Sequence, residues 1–418
     1  PAREAPGNQS WKSNFLAIAI MRRVFLTTCL LMAGLALKPG TTAQETAPEE
    51  EPERERFEVA AWIDHFDFAR VYDTEKIEGL EKLLDHVQET GATTIWWRPH
   101  SGGRVRYRSE VDAGYHNNST IDKRITFDSQ EVYGWVRYGE TDFDILEEAM
   151  KLGKKRGLKV GVHWPFEETH WAVQNLGDFN VEHPEYWGRG RNGSLRMINC
   201  SLGYEEVVQH KLALLDEMIE RGIEVLYIDF MRSSHNPAYE YVEPVTDAFK
   251  GGDWNAHVEG YITNYLRQVR QRLDASGRKI ELIAGFPNLH PNQKHVWQRW
   301  VDEGLVDTLN VISMNWDAGD AFGSTRALGT AFVNTTAGRC RVLLPIRQYK
   351  HYTRGFWHYE KATGNNQAEI ARELIGIAHD VGAHGVALEC VDYNNYGPET
   401  RKALKEAAEG PCRYRVER

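Results

Sequence analysis

Residues 142–164 read Asp-Phe-Asp-Ile-Leu-Glu-Glu-Ala-Met-Lys-Leu-Gly-Lys-Lys-Arg-Gly-Leu-Lys-Val-Gly-Val-His-Trp. An acid-initiated amphipathic stretch, 142–156, runs to a stop at Gly157, and a short apolar run, 158–163, follows and ends on His163 and Trp164. The same cadence recurs along the chain. It predicts strands at 57–63, 93–97, 158–163, 224–229, 279–285, 306–315, 341–346 and 385–389. Helices are expected at 75–89, 142–156, 204–221, 256–273, 292–303, 324–333, 367–381 and 398–409. Runs this continuously apolar belong to a parallel sheet covered on both faces. Eight strand–helix units in one chain fit a single-domain (β/α)8 TIM barrel over 57–412, with long loops after strands two, three and four. The rival is an open doubly wound sheet. It calls for a glycine-rich phosphate turn after an early strand, and Ser101-Gly102-Gly103-Arg104 is not one.

Composition narrows the function. The 418 residues carry 50 Lys+Arg against 60 Asp+Glu, a net charge of −10, which argues against a nucleic-acid partner. Hydrophobic residues are 41% and charged residues 26%, so a packed core is expected. Met21-Arg22-Arg23, the apolar run 24–37 and Thr41-Thr42-Ala43 make an export signal cleaved after Ala43, too short for a comfortable membrane span. Residues 1–20 read as an upstream extension and 44–56 as an acidic, disordered lead-in. The mature protein is then secreted or periplasmic, with no stable membrane span. Four cysteines remain: Cys200, Cys340, Cys390 and Cys412. Cys340 with Cys412 is the better disulfide pair, and four buried thiols are the alternative. No cysteine spacing suits a structural zinc, and no cofactor is expected.

In a barrel of this kind chemistry belongs to the C-terminal ends of the strands. Those ends offer Asp64, His65 and Asp67; Trp97, Arg98 and His100; His163, Trp164, Glu167 and Glu168; Asp229 and Arg232; Asn288; Asn315, Trp316 and Asp317; Arg347 and Gln348; and Glu389, Asp392 and Tyr393. Amides and charges hydrogen-bond hydroxyl groups, and indoles stack on sugar rings, so the rim suits a carbohydrate. Asp64, His65, Trp97, Arg98, His100, His163, Trp164, Arg232, Asn315, Trp316, Arg347 and Tyr393 are the expected substrate contacts. Glycosidic cleavage takes two carboxyl groups. Asp229 ends an otherwise apolar strand, where a charge is costly unless it is used or paired. Asp317 is the favoured partner, Glu389 the reserve, and Glu167 and Glu168 the remainder.

Trp97-Arg98-Pro99-His100 with Tyr107 and Ser109, the stretch 142–164 quoted above, Asn199-Cys200-Ser201 and the strand ending at Asp229 resemble a bacterial glycosyl-hydrolase-like barrel family. The resemblance covers about half of the mature chain. It implies a (β/α)8 barrel with glycosidase activity. The layout is also similar to that of α-galactosidase and α-glucosidase barrels, which implies Asp229 as nucleophile, Asp317 as acid/base and a retaining reaction. It departs from the α-amylase layout, which has a Glu at strand five, and from the cellulase-type layout, which has Glu at strands four and seven.

Arg98, Arg232 and Arg347 end three strands, and Arg104, Arg106 and Arg108 follow in the second loop. Converging guanidinium groups suit a uronate or sulfated sugar; pairing with rim carboxylates is the other reading. Two further classes stay open. One is a metal-dependent hydrolase using His65, His100 and His163, although strand one reads Asp64-His65-Phe66-Asp67 rather than His-x-His. The other is a non-catalytic glycan-binding envelope protein on a degenerate barrel. The export reading has a direct check. N-terminal sequencing of the exported protein is expected to begin at Gln44, and a chain still beginning at Met21 overturns it.

Overall fold

Strands that are apolar on both faces must be covered on both, and this chain does so by closing the sheet on itself. In the computed structural model β1 (Glu58–Ile63), β2 (Thr94–Trp97), β3 (Lys159–Pro165), β4 (Val225–Asp229), β5 (Glu281–Pro287), β6 (Thr308–Ile312), β7 (Arg341–Arg347) and β8 (Gly385–Glu389) form a closed barrel. Each strand pairs in parallel with its sequence neighbours, and β8 returns to β1. The protein is therefore a (β/α)8 TIM barrel, and the open-sheet rival is excluded. The structure describes residues 56–63, 76–101, 104–105, 107–112, 126–127, 130–131, 143–166, 177–230, 237–287, 296–312, 321–347, 360, 363–389 and 396–409. The lead-in 44–55 and the export segment lie outside them. The barrel belongs to one compact unit, Glu53–Arg418.

Outside the sheet lie α1 (Ile77–Glu89), α2 (Ile145–Lys155), α3 (Glu205–Glu220), α4 (Trp254–Ala275), α5 (Val296–Asp302), α6 (Ala321–Thr336), α7 (Gln367–Val381) and α8 (Pro398–Ala408). Their ends follow from local chemistry. Asp144 starts α2 by accepting from the Glu147 N–H at 3.0 Å. Asp253 accepts from the Asn255 N–H at 2.8 Å, which begins α4 two residues before the amphipathic pattern alone suggests. Asn366 and Glu369 make a capping box for α7, which ends at Gly382 with φ 81°. No helix among the described residues is long and apolar enough to cross a membrane.

The register sorts the lumen into layers, each drawn from alternate strands. From the N-terminal end they are Glu58, Lys159, Glu281 and Arg341; then Thr94, Val225, Thr308 and Gly385; then Ala60, Gly161, Ile283 and Leu343. Above them come Trp96, Tyr227, Asn310 and Ala387; then Trp62, His163, Gly285 and Pro345; and at the mouth Arg98 and Asp229. The residues between these positions pack against the helices in a larger apolar core.

The lowest layer is ionic. Arg341 pairs with Glu58 and, at 2.9 Å, with Glu281, while Lys159 pairs with Glu281. Thr94 Oγ1 donates to Glu58 at 2.7 Å, and Thr308 donates to Glu281. Burial pushes the Glu281 carboxyl up, but Arg341 and Lys159 overcome it and hold the group below the usual carboxylate range. His384, just before β8, accepts from the Val342 N–H at 3.2 Å. Burial, with Arg341 nearby, lowers it from 6.5 to about 4.

The cysteine expectation is corrected. Cys340 is buried and, like the buried Cys200, forms no disulfide, so the Cys340–Cys412 bridge is not formed. Cys340 sits in the apolar core, where burial raises its thiol to about 12. Cys390 and Cys412 lie outside the described residues.

His384 is held neutral in the folded protein and takes up a proton near pH 6.5 once unfolded. Stability therefore falls as pH drops from about 6.5 towards about 4. His384→Asn, whose Oδ1 can accept from Val342, is expected to flatten that loss in urea unfolding measured at pH 7 and pH 5.

Candidate functional site

Asp229 is placed by the backbone on both sides of it. The Phe166 N–H donates to the Asp229 carbonyl at 3.0 Å, and the Phe230 N–H donates to the Gly285 carbonyl at 2.8 Å. These bonds tie the end of β4 to β3 and β5. The residue is 3% exposed, and its Oδ2 lies 3.2 Å from Nε2 of His163.

Aromatic rings support this pair from below. The His163 ring lies 4.2 Å from Trp62 and 5.1 Å from Tyr227, and Trp96 stacks on Tyr227 at 4.4 Å. Asn310 Nδ2 donates to the Tyr227 hydroxyl at 3.2 Å. Gly285 makes room for that hydroxyl, since a Cβ there would lie 2.2 Å from it. Edge and face contacts among such rings fix their orientation as well as burying area.

Of the expected site residues, the structure brings the substrate contacts Arg98 and His163 and the catalytic candidate Asp229 to the mouth side of the lumen. Arg98 is buried, and its N–H donates to the Ile63 carbonyl at 3.2 Å. Glu389 ends β8, its backbone paired in register with Trp62 on one side and Arg347 on the other. His100 leaves the barrel in a short hairpin, where it pairs with Val105. Asp64, His65, Arg232, Asn315, Trp316, Asp317 and Tyr393 lie outside the described residues.

Two expectations are corrected by strand alternation. Trp97 and Trp164 end their strands, but each takes the position that points away from the lumen, and both indoles are buried in the core against the helices. The lumen instead receives Trp62 and Trp96, one residue earlier in β1 and β2 than the strand end. A third correction concerns His163. Its side chain is fully enclosed, so it does not line an open cleft for substrate hydroxyls.

The long loops are anchored to the surrounding helices and to one another. Glu217 of α3 accepts from the Tyr107 hydroxyl at 2.9 Å, the Ser109 hydroxyl at 2.7 Å and the Glu110 N–H at 2.7 Å. Arg221 lies over the Tyr107 ring at 4.6 Å. Burial, then Glu217, pushes the Tyr107 hydroxyl well above its ordinary pKa. The Tyr-x-Ser segment therefore clamps the second loop to α3. Arg108, in the same clamp, is exposed, and Arg106 is outside the described residues. The loop after β3 carries a hairpin, Trp187–Arg189 with Leu195–Cys200, joined to the loop after β4. The Tyr241 N–H donates to the Arg189 carbonyl at 2.9 Å, Ser201 donates to the buried Glu240, and the Arg196 guanidinium lies 4.8 Å from the Tyr239 ring. Among the described residues no group of three or more His, Cys, Asp or Glu is placed to hold a metal.

No family model and no curated protein matches the sequence. Among solved structures the chain is similar to the β-galactosidase of the psychrophilic Marinomonas ef1, with a TM-score of 0.52 and 10% identity over 84% of this chain and 59% of that one. It is also similar to the cold-adapted β-galactosidase of Rahnella sp. R3, with a TM-score of 0.50 and 10% identity over 86% of this chain and 58% of that one. The chain spans less than two thirds of either enzyme. The likeness is one of fold: this is a (β/α)8 barrel of the kind on which these glycoside hydrolases are built.

Proposed function

We propose that the protein is a glycoside hydrolase acting at the mouth of the barrel, with Asp229 as one of its two carboxyl groups. The observation that carries this reading is Asp229 itself, a carboxylate buried at the mouth end of β4 and held by His163. Asp229 attacks the anomeric carbon, and the second carboxyl group protonates the leaving oxygen, then deprotonates the water that releases the sugar. Asp317 is the partner favoured by the sequence, and Glu389, at the end of β8, is the alternative. A retaining course calls for carboxyl groups about 5–5.5 Å apart, and an inverting one for about 6.5–9.5 Å.

The finer features rest on separate grounds. Arg98 in the mouth layer and Arg347 one position further along its own strand support an anionic sugar, a uronate or a sulfate ester. The segment 21–43 supports a secreted or periplasmic protein. A non-catalytic glycan-binding role is the second reading, favoured by the depth at which Asp229 is buried.

The test compares the wild type with Asp229→Asn, Glu389→Gln and Asp317→Asn on neutral, uronic and sulfated oligosaccharides, following new reducing ends. Cleavage by the wild type, with a loss of about 10³-fold or more in kcat for Asp229→Asn, is expected. A matching loss in Glu389→Gln but not Asp317→Asn assigns the second carboxyl group. Equal glycan binding by wild type and Asp229→Asn without turnover in either overturns the hydrolase reading.

A further inference from the structure

Asp229 does not stand alone in the mouth layer. Beneath it His163 is enclosed completely, with Nε2 at 3.2 Å from Oδ2 and its ring held between Trp62 at 4.2 Å and Tyr227 at 5.1 Å. Tyr227 is itself fixed, stacked on Trp96 at 4.4 Å and receiving a hydrogen bond from Asn310 at 3.2 Å. A side chain this enclosed cannot reach a sugar hydroxyl without moving two rings. It can, however, control the group it touches.

We propose that His163 is the positioning residue of Asp229: its Nε2–H holds Oδ2, fixes the plane of the carboxylate and favours its ionised form. The proposal rests on the reading of Asp229 as a reacting carboxylate. The physical grounds are twofold. A donor bonded to the charged form of an acid stabilises that form, and a carboxylate held by an immobile partner does not have to be reoriented on the way to the transition state. The aromatic frame matters because an imidazole free to swing would fix nothing. Among the described residues, the ionisable groups at this end of the barrel are Arg98 after β2, His163 on β3, Tyr227 and Asp229 on β4, and Arg347 and Glu389 at the ends of β7 and β8. A nucleophile must be ionised, so activity falls as pH drops through the Asp229 pKa. Removing the His163 donor raises that pKa and moves the acid limb of the kcat/KM profile to higher pH.

Two measurements test this on the full chain. The first is independent of activity. In protein labelled with 15N at the histidine rings, the His163 signal is assigned by its absence in His163→Gln. It is expected to show a proton on Nε2, and to shift in Asp229→Asn. A ring protonated only at Nδ1 and unmoved by Asp229→Asn overturns the proposal. The second uses the oligosaccharide from the panel above that the wild type cleaves. His163→Leu is expected to lose about 100-fold in kcat, with KM little changed and the acid limb moved to higher pH. His163→Gln, which keeps a side-chain N–H donor, recovers most of the loss. A raised KM with unchanged kcat, or an unmoved acid limb, overturns the proposal. If the wild type and Asp229→Asn bind a glycan on the panel equally and neither cleaves it, the hydrolase reading has failed, and the nitrogen signals still decide whether His163 and Asp229 are coupled.

Discussion

Arg341 lies between Glu58 and Glu281 at the closed end of the barrel, and the register of the whole lumen depends on that contact. With Lys159 the layer holds two cations and two carboxylates, contributed by β1, β3, β5 and β7. Ions taken out of water are tolerated only when each is paired and hydrogen-bonded. Slipping one strand by one residue would move its ion into the apolar layer against the helices and strand the partners it left. The ionic layer is thus a weak contributor to net stability and a strong selector of register. Each higher layer inherits its position from it.

Above the ions the lumen becomes apolar and then aromatic, and only at the mouth do charges return. The ordering has a chemical consequence. Asp229 is backed by His163, His163 by Trp62 and Tyr227, and Tyr227 by Trp96 and Asn310. Every member is held by packing from a different strand, so the carboxylate is supported by the rigid part of the molecule. The long loops are free to vary around that fixed floor, and the Glu217 clamp keeps the base of the second loop in place while they do.

The eight strands were legible because each apolar run is short, ends near chemistry-bearing residues and is followed by a helix with a clear stop. The faces of the strands were not. A strand buried on both sides shows no alternation of polar and apolar residues, so Trp96 and Trp97 look alike in sequence although one enters the lumen and the other meets the helices. Asp229 was legible because a charge in an apolar strand is conspicuous. His163 was legible as a polar strand end but not as a buried partner, since the contact joins residues 66 positions apart. The pairing of Glu389 with Trp62 and Arg347 likewise depends on closure of the ring.

The close approach of Tyr227 to Gly285 also constrains how this barrel can evolve. Gly285 is the lumen-facing position of β5 level with His163, and even one added carbon there would lie 2.2 Å from the tyrosine hydroxyl. A carboxylate cannot be gained at that position while Tyr227 remains. Tyr227 in turn cannot be shortened without unsupporting His163 and Trp96. The two positions are therefore epistatic: a side chain at 285 requires a smaller residue at 227, and a smaller residue at 227 loosens the floor beneath Asp229.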